Sequence, residues 1–312
     1  MQQITNNILM VRPSSFRANE QTAVNNFYQK DSFDMSQYQL QEKAQKEFDA
    51  FVEKLKAVGV NVIVFESDDN RDTPDSHFPN NWVSFHNNGT AALYPMFAEN
   101  RRLERREDVL IKLEERGFLI NNVVDYSSAE EEHLFLEGTG SLVLDRINRK
   151  AYCALSQRAD EALIIEFCED FEFTPIIFTA YQTVDNERLP IYHTNVMMCL
   201  GETFAVVCLS CIDDKKERKN VIKHLKQDQK EIIDISESQV NQFSGNMLEV
   251  LGAKDKNYLV MSESAFKALK PSQIKTLEKH ATILHSPLSV IEDCGGGSAR
   301  CMMAEVFLPM AK

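Results

Sequence analysis

The residue best suited to act as a nucleophile is Cys301, in the run CGGGSARCMMAE near the end of the chain. It follows three consecutive glycines, Gly295, Gly296 and Gly297. Consecutive glycines are used where the backbone bends sharply or approaches another group closely. A thiol fixed on such a backbone is both reachable and oriented, and the thiolate is the attacking species in cysteine catalysis. The same pattern fits a buried structural cysteine after a tight turn, so this run alone leaves both interpretations open.

Further polar residues lie within apolar segments. Glu137 follows the run LFL, and a carboxylate in such surroundings is partly desolvated, which raises its pKa and suits it to proton transfer. It could equally end a strand at the surface. His193 and Asn195 lie in PIYHTNVMM, which we interpret as a strand that points both side chains to one side. Two polar groups on an apolar side need partners or a pocket, although a hydrogen-bonded core histidine is the commoner case.

The sequence gives little indication of a metal or nucleotide site. Cys208 and Cys211 form a CxxC pair, but residues three apart on a strand point to opposite faces, and no second pair has zinc-site spacing. Gly138 and Gly140 lack the third glycine of a dinucleotide fingerprint, and no Walker or GxSxG motif is present. We therefore expect neither a metal nor an organic cofactor.

Composition restricts the class of protein and its partners. The chain has 312 residues, is 43% hydrophobic and carries a net charge of −13, which argues against nucleic acid and anionic membranes as partners. No basic, apolar leader is visible at the N-terminus, and the seven scattered cysteines are typical of reduced thiols. We expect a cytoplasmic protein with a small-molecule substrate; a homodimer stays open.

The elements that must position these residues alternate along the chain without a linker. Apolar strand-like runs alternate with polar segments of helical periodicity, which predicts an α/β fold. One helix is predicted over 99–116, and Pro271 is expected to break another over 264–280. The polar segment 14–35 is predicted to be a lid. From this pattern alone, a doubly wound sheet is one candidate architecture.

Five motifs together carry a family resemblance: LEGTGSL, YHTN, GGGSARCM, MVRPSSF and TAVNN. With Asn19, they resemble the guanidino-modifying hydrolases and amidinotransferases over nearly the whole chain, from Met10 to Met303. That group includes arginine deiminase, dimethylarginine hydrolase, agmatine deiminase and succinylarginine dihydrolase, and the similarity is closest to citrulline-utilisation hydrolase-type proteins. The resemblance implies the pentein, or α/β-propeller, fold: five ββαβ units around a pseudo-five-fold axis, in one domain over residues 1–312.

The resemblance also implies roles for three residues. Cys301 attacks the guanidino or ureido carbon, His193 protonates the leaving ammonia and then deprotonates water, and Glu137 orients His193 or binds a substrate nitrogen. The chemistry requires no metal or cofactor. A non-catalytic binding protein on the same fold is the alternative from another class, and the presence of all three residues argues against it.

Two positions depart from the arginine deiminase pattern. The motif FPNN, which begins at Phe78, has Asn81 where that family has an aspartate, and HTN has Asn195 where it has another. Amides bind a neutral group without leaving buried charge unpaired, so they favour a ureido substrate such as citrulline, converted to ornithine, ammonia and carbon dioxide. An enzyme that handles both the guanidino and the ureido stage also fits, and Asp72 or Asp75 could still supply a carboxylate.

The distal end of an amino acid substrate is expected to bind an arginine, because a bidentate guanidinium recognises a carboxylate well. Arg12 and Arg300 lie within the matching motifs and are the candidates, although each could form a structural salt bridge instead. The alternatives within the enzyme class are an arginine or arginine-derivative deiminase or dihydrolase, and an amidinotransferase.

Overall fold

The computed structural model describes residues 2–30, 35–68 and 70–311. The strands are β1 (Asn7–Arg12), β2 (Asn61–Glu66), β3 (Val83–Phe85), β4 (Thr90–Leu93), β5 (Asn122–Asp125), β6 (Leu142–Asp145), β7 (Lys150–Leu155), β8 (Thr174–Thr179), β9 (Tyr181–Val184), β10 (Glu187–Pro190), β11 (Met198–Leu200), β12 (Phe204–Val207), β13 (Glu231–Asp234), β14 (Leu248–Leu251), β15 (Asn257–Ser262), β16 (Thr282–Ser286) and β17 (Ala304–Glu305).

The α-helices are α1 (Glu20–Ala23), α2 (Gln37–Ala57), α3 (Glu99–Arg102), α4 (Glu107–Glu115), α5 (Gly138–Ser141), α6 (Glu161–Asp170), α7 (Thr194–Met197), α8 (Lys215–Gln227), α9 (Glu237–Val240), α10 (Glu263–Ala268) and α11 (Pro271–Leu277). Short 3₁₀ turns cover Pro79–Asn81, Ser127–Glu132, Leu209–Cys211 and Ala253–Asp255, and a π-helical turn covers Ile291–Gly295. No helix among these is long and apolar enough to cross a lipid bilayer, in the part of the chain that is described.

The strands form small sheets of one repeated design. Within the described residues there are five three-stranded sheets, in the orders β17-β1-β2, β3-β4-β5, β6-β7-β8, β11-β12-β13 and β14-β15-β16, and one separate hairpin of β9 and β10. In each three-stranded sheet the middle strand pairs antiparallel with one neighbour and parallel with the other. The fold is therefore α/β, but it contains several small sheets and not a single doubly wound sheet.

The first sheet joins the two ends of the chain. Strand β17 pairs antiparallel with β1, with Ile8 opposite Glu305 and Leu9 opposite Ala304. Strand β1 then pairs in parallel with β2. Because β17 begins three residues after Cys301, this pairing holds the candidate nucleophile beside a buried N-terminal strand.

Helix α2 shows how the sequence determines a local element. Ser36 and Gln39 form a reciprocal capping box at its start, which satisfies two backbone N–H groups. Its buried residues recur every three or four positions and so form one face, against β1, β2 and β16. They are Leu40, Ala44, Phe48, Phe51, Val52 and Leu55.

Two predicted elements differ from the structure, and one agrees. The helix expected over 99–116 is interrupted between α3 and α4, where Glu104 turns inward to pair with the buried Arg101. The strand expected around His193 is wrong, because Thr194–Met197 is a single helical turn that leads into β11. The break at Pro271 is confirmed: α11 begins there, where the missing N–H has no intrahelical partner to lose.

Candidate active site

Cys301 is buried, and two asparagine side chains surround its sulfur. Asn246 donates its Nδ2 N–H to Sγ at 3.2 Å, and Asn195 Nδ2 lies 3.6 Å from the same atom. Asn246 is itself held, since its Oδ1 accepts the backbone N–H of Arg300 at 3.0 Å. Amide donors directed at a sulfur stabilise the negative charge that it carries during nucleophilic attack, so the two asparagines suit Cys301 to that role.

The glycines before Cys301 are needed for close approach. Gly296 has a φ of +65°, in the left-handed region that favours glycine. A Cβ atom on Gly297 would lie 2.7 Å from the Phe78 ring. The glycine run therefore passes directly over Phe78, and any larger residue at Gly297 would displace the backbone that carries Cys301.

His193 and Glu137 form a buried hydrogen-bonded pair. His193 Nε2 lies 2.7 Å from Glu137 Oε2, and the backbone N–H of Phe97 donates to Glu137 Oε1 at 3.0 Å. Burial alone raises the pKa of Glu137, but Arg158, His193 and Arg101 outweigh it and hold that pKa well below its usual value. An ionised Glu137 accepts the Nε2 proton and so leaves Nδ1 of His193 as the basic nitrogen.

Burial also sets the charge of the imidazole. It lowers the pKa of His193 to about 4, although the hydrogen bond to Glu137 and the charge of Glu137 both raise it. Near neutral pH the ring is therefore unprotonated and can accept a proton, and Glu137 stabilises the imidazolium that results.

The site residues come from the same structural position in each of the five three-stranded sheets. One or more site residues lie just before the first strand of each sheet: Asn81 before β3, Glu137 before β6, His193 and Asn195 before β11, Asn246 before β14, and Cys301 before β17. Glu137 and His193 each precede a one-turn helix, α5 and α7, and these two helices contact each other. The repeated strand-entry position thus brings together residues that are far apart in the sequence.

Asp75 is a buried carboxylate on the cavity wall. Its Oδ2 accepts hydrogen bonds from Asn19 Nδ2 at 2.7 Å and from Thr22 Oγ1 at 3.2 Å, while Oδ1 has no hydrogen-bond partner among the described residues. Burial raises the pKa of Asp75, and the charge of Arg101 together with the Asn19 hydrogen bond offsets this only in part. A buried carboxylate oxygen without a partner is costly unless a ligand supplies a donor.

Two buried arginines complete the charged set. Arg101 donates to both carboxylate oxygens of Glu104 at 2.9 Å and to Asn81 Oδ1 at 2.8 Å. Arg158 NH1 lies 3.4 Å from Glu137 Oε2, and its NH2 donates to the Thr22 carbonyl at 3.0 Å. Burial raises the pKa of Glu104 to about 7 despite Arg101, so Glu104 is partly protonated near neutral pH.

These groups surround a cavity of about 10 Å³, roughly the space for one water molecule. Its lining residues are Asn26, Asp75, Phe78, Asn81, Arg101, Arg158, Tyr192, His193, Gly295, Gly296, Gly297 and Cys301. Residues 19–30, from the predicted lid, cover it: Asn26 Nδ2 donates to the Gly296 carbonyl and Gln29 Nε2 to the Gly295 carbonyl, each at 3.2 Å. Residues 31–34 of that segment lie outside the described residues.

The structure places most of the predicted site residues together. Cys301, His193, Asn81, Asp75 and Phe78 line the cavity. Glu137 lies behind His193, and Asn195 lies beside Cys301.

The two predicted carboxylate-binding arginines are elsewhere, and neither is among the described residues that line the cavity. Arg12 is part of the partly exposed surface and pairs with Asp49 at 2.7 Å, and Arg300 pairs with Glu305 at 2.9 Å. Both instead form salt bridges, which is the alternative role considered for each of them from the sequence.

Sequence reasoning missed Asn246, Arg101 and Arg158. Asn246 had a usable signal, because SGNM places a polar residue just before an apolar strand, and Glu137 and His193 also precede strands. The two arginines had none, since both lie in polar stretches with other charged residues and only tertiary packing buries them.

A family model described as N,N dimethylarginine dimethylhydrolase, eukaryotic, matches residues 12–308 of this chain. No match was found among curated proteins.

Solved structures of three proteins share the fold. ArgZ, an arginine dihydrolase from the ornithine-ammonia cycle in cyanobacteria, superposes with a TM-score of 0.73 at 17% identity, over 97% of this chain and 41% of its own. AgrE, in a binary complex with L-arginine, superposes with a TM-score of 0.74 at 16% identity, over 98% of this chain and 41% of its own. A dimethylarginine dimethylaminohydrolase adduct with S-methyl-L-thiocitrulline superposes with a TM-score of 0.63 at 14% identity, over 96% of this chain and 98% of its own. The chain thus spans about two fifths of the ArgZ and AgrE chains, and 99% of the ArgZ N-terminal domain.

Proposed function

Because the chain belongs to the N,N-dimethylarginine dimethylhydrolase family and is a hydrolase of guanidino C–N bonds, we propose that it converts free arginine to ornithine by two successive hydrolyses at Cys301. The observation that carries the proposal is the mixed character of the site. Amides flank the nucleophile, whereas Asp75 offers a buried carboxylate oxygen without a partner in the same cavity. Citrulline, the substrate favoured by the sequence, becomes the product of the first hydrolysis and the substrate of the second.

The charge balance of the cavity supports arginine as the entering substrate. Among the described residues, Asp75, Glu104 and Glu137 pair with two guanidinium groups, those of Arg101 and Arg158. With all three carboxylates ionised, the set carries one excess negative charge before Cys301 ionises. Free arginine carries one net positive charge and offsets this excess, whereas citrulline is neutral overall. The guanidinium also stabilises the Cys301 thiolate that attacks it.

In the first hydrolysis His193 accepts the Cys301 proton, and the thiolate forms an S–C bond to the guanidino carbon. The imidazolium then protonates one terminal nitrogen, which leaves as ammonia and gives a covalent thiouronium. His193 next takes a proton from water, the hydroxide adds to the same carbon, and breaking of the S–C bond releases the ureido product. Glu137 stabilises the imidazolium at both protonated stages.

The second hydrolysis repeats these steps on the ureido group. Cys301 attacks, ammonia leaves, and a thiocarbamate forms. Water then displaces the sulfur and leaves a carbamate, which loses carbon dioxide to give ornithine. The amides of Asn81 and Asn195 suit both stages, because each has a donor for the ureido oxygen and an acceptor for a guanidino N–H. Carboxylates at these positions would be left with unpaired charge at the ureido stage.

The amino acid end of the substrate is assigned to Asp75 and Arg158. The free Oδ1 of Asp75 is suited to an ammonium group. Arg158 lies on the cavity wall 4.8 Å above the Tyr192 ring and is suited to the carboxylate. This assignment takes the place of the sequence-based candidates Arg12 and Arg300.

The fold proposal is consistent with the same geometry. We propose that the five sheets are arranged around a pseudo-five-fold axis as one domain over residues 1–312, because the first strand of each sheet follows a site residue. A cytoplasmic location and a homodimer stay predictions.

The test is product analysis with purified protein and guanidino-¹³C arginine. We expect ornithine and two equivalents of ammonia, with no turnover in Cys301→Ser and full turnover in Cys168→Ser, which alters a buried thiol on α6. Citrulline as the end product would refute the second hydrolysis. Ornithine from supplied citrulline but not from arginine would refute the charge argument and support the ureido hydrolase.

Other substrates separate the remaining alternatives. Release of dimethylamine from dimethylarginine, with arginine unchanged, would assign the family's named reaction in place of ours. Transfer of the amidino group to an added amine would identify an amidinotransferase. Binding of arginine without turnover would identify a non-catalytic protein.

A further inference from the structure

Two thiols outside the cavity, Cys208 and Cys211, lie in direct contact. Their Sγ atoms are 3.0 Å apart. Strand β12 ends at Val207, so the strand geometry expected for this pair is wrong, and the chain turns between them. The backbone N–H of Cys211 donates to the Cys208 carbonyl at 3.2 Å, as in a turn whose first and fourth Cα atoms lie within about 7 Å. A disulfide requires a Cα separation of about 4.4–6.8 Å.

A hydrogen bond joins the two thiols. Cys211 Sγ donates to Cys208 Sγ, and Ser210 Oγ lies 3.3 Å from the same acceptor. The Cys211 hydrogen bond lowers the pKa of the Cys208 thiol, and the same contact raises the pKa of Cys211. A thiol of lowered pKa beside a second thiol is the arrangement from which a disulfide forms.

The surroundings favour redox chemistry over metal binding. Among the described residues, no group of three or more His, Cys, Asp or Glu side chains is arranged to hold a metal ion. Both thiols are buried, but Ser210 between them is exposed and Leu209 is half-buried. Opening of this single surface turn therefore suffices to expose both sulfurs to a small oxidant.

We propose that Cys208 and Cys211 form a reversible intramolecular disulfide when the protein meets a peroxide. The Cys208 thiol loses its proton and its sulfur attacks one peroxide oxygen. The O–O bond breaks, the released proton joins the departing hydroxide, and a sulfenic acid and water form. The Cys211 thiol then attacks the sulfenic sulfur, the S–O bond breaks, and a second water leaves. The two sulfurs together lose two electrons and two protons, which the peroxide takes up. A dithiol reductant reverses the reaction by disulfide exchange.

The experiment treats Cys301→Ser with hydrogen peroxide and maps non-reduced peptides by mass spectrometry. This background removes the nucleophile and retains six of the seven cysteines. We expect a peptide carrying a Cys208–Cys211 link, lighter by two hydrogens, which dithiothreitol restores. The double variant Cys301→Ser, Cys211→Ser should give no link and should instead gain oxygen at Cys208.

The outcome is decided by comparison with Cys153, which is buried and remote from the pair. A Cys208–Cys211 link formed while Cys153 stays reduced, with an unchanged circular dichroism spectrum, supports the proposal. The proposal is overturned if Cys208 and Cys211 stay reduced after peroxide treatment. It is also overturned if Cys153 is oxidised to the same extent as the pair. If the double variant fails to fold, the link in the single variant still decides.

Discussion

Replacing Glu137 by glutamine tests the catalytic pair without removing the side chain. The glutamine can still accept the Phe97 N–H, but its amide nitrogen then faces His193 Nε2, which must become the acceptor. The His193 proton would move to Nδ1, which removes the basic lone pair from the nitrogen assigned to catalysis. Replacement of an orienting carboxylate by an amide in a comparable pair lowers kcat by about 10⁴-fold, and we expect about 10³–10⁴-fold here.

The same change has a separate effect on stability. Removing one partner of a buried ion pair is destabilising by about 3–5 kcal/mol. Arg158 keeps its bond to the Thr22 carbonyl, and Arg101 keeps Glu104, so we expect the lower end, about 3 kcal/mol. At roughly 2 °C per kcal/mol for a chain of this size, Tm should fall by about 6 °C.

Asp145→Asn is the matched control. Asp145 is fully buried and pairs with Lys230 at 3.3 Å, and Lys230 keeps two backbone carbonyl acceptors after the change. Its loss of stability should therefore resemble that of Glu137→Gln, while arginine turnover stays unchanged. The assay is kcat and KM for arginine well below both Tm values, with Tm measured by calorimetry. A folded Glu137→Gln variant with a kcat within about tenfold of the parent value would refute the reasoning. An equally large fall of kcat in Asp145→Asn would also refute it.

Three further outcomes follow from the geometry. Asn246→Ala removes the 3.2 Å donor to Sγ, so alkylation of Cys301 by iodoacetamide near neutral pH should slow; an unchanged rate would contradict the role of Asn246 at the sulfur. Asp75→Asn should raise KM for arginine at least tenfold with a smaller change in kcat, since about 1.4 kcal/mol of charge-assisted binding is lost, whereas an equal effect of the exposed Asp72→Asn would count against it. Acid should destabilise the fold between pH 6.5 and about 4, because the folded-state pKa of His193 is lowered to about 4 and that of His77 to about 3, so the unfolded chain binds protons that the folded chain excludes. At pH 5 each histidine should contribute about 2 kcal/mol to this loss, while Glu104, whose folded-state pKa is raised to about 7 by burial, should offset about 2 kcal/mol of it. A urea-unfolding free energy that stays constant from pH 7 to 5 would contradict the predicted net loss.

The local elements of this protein could largely be predicted from its sequence. Helix α2 follows from its apolar periodicity and capping box, and the start of α11 follows from Pro271. Such features depend on neighbours a few residues away, so a single sequence contains them. The helix over 99–116 and the strand around His193 were wrong because a buried ion pair and a one-turn helix, both stabilised by distant contacts, outweighed local pattern.

The sequence by itself indicated the candidate reactive groups of the site. Cys301 after its glycines, Glu137 after an apolar run and His193 in an apolar segment each break the local pattern, and the family resemblance linked them. Only the tertiary structure decided which charges surround them. Arg101 and Arg158 lie in polar stretches like many exposed arginines, and Arg12 lies in a matching motif yet pairs with Asp49 near the surface. Burial and partner choice arise from contacts between residues up to hundreds of positions apart, so local residue types cannot specify them.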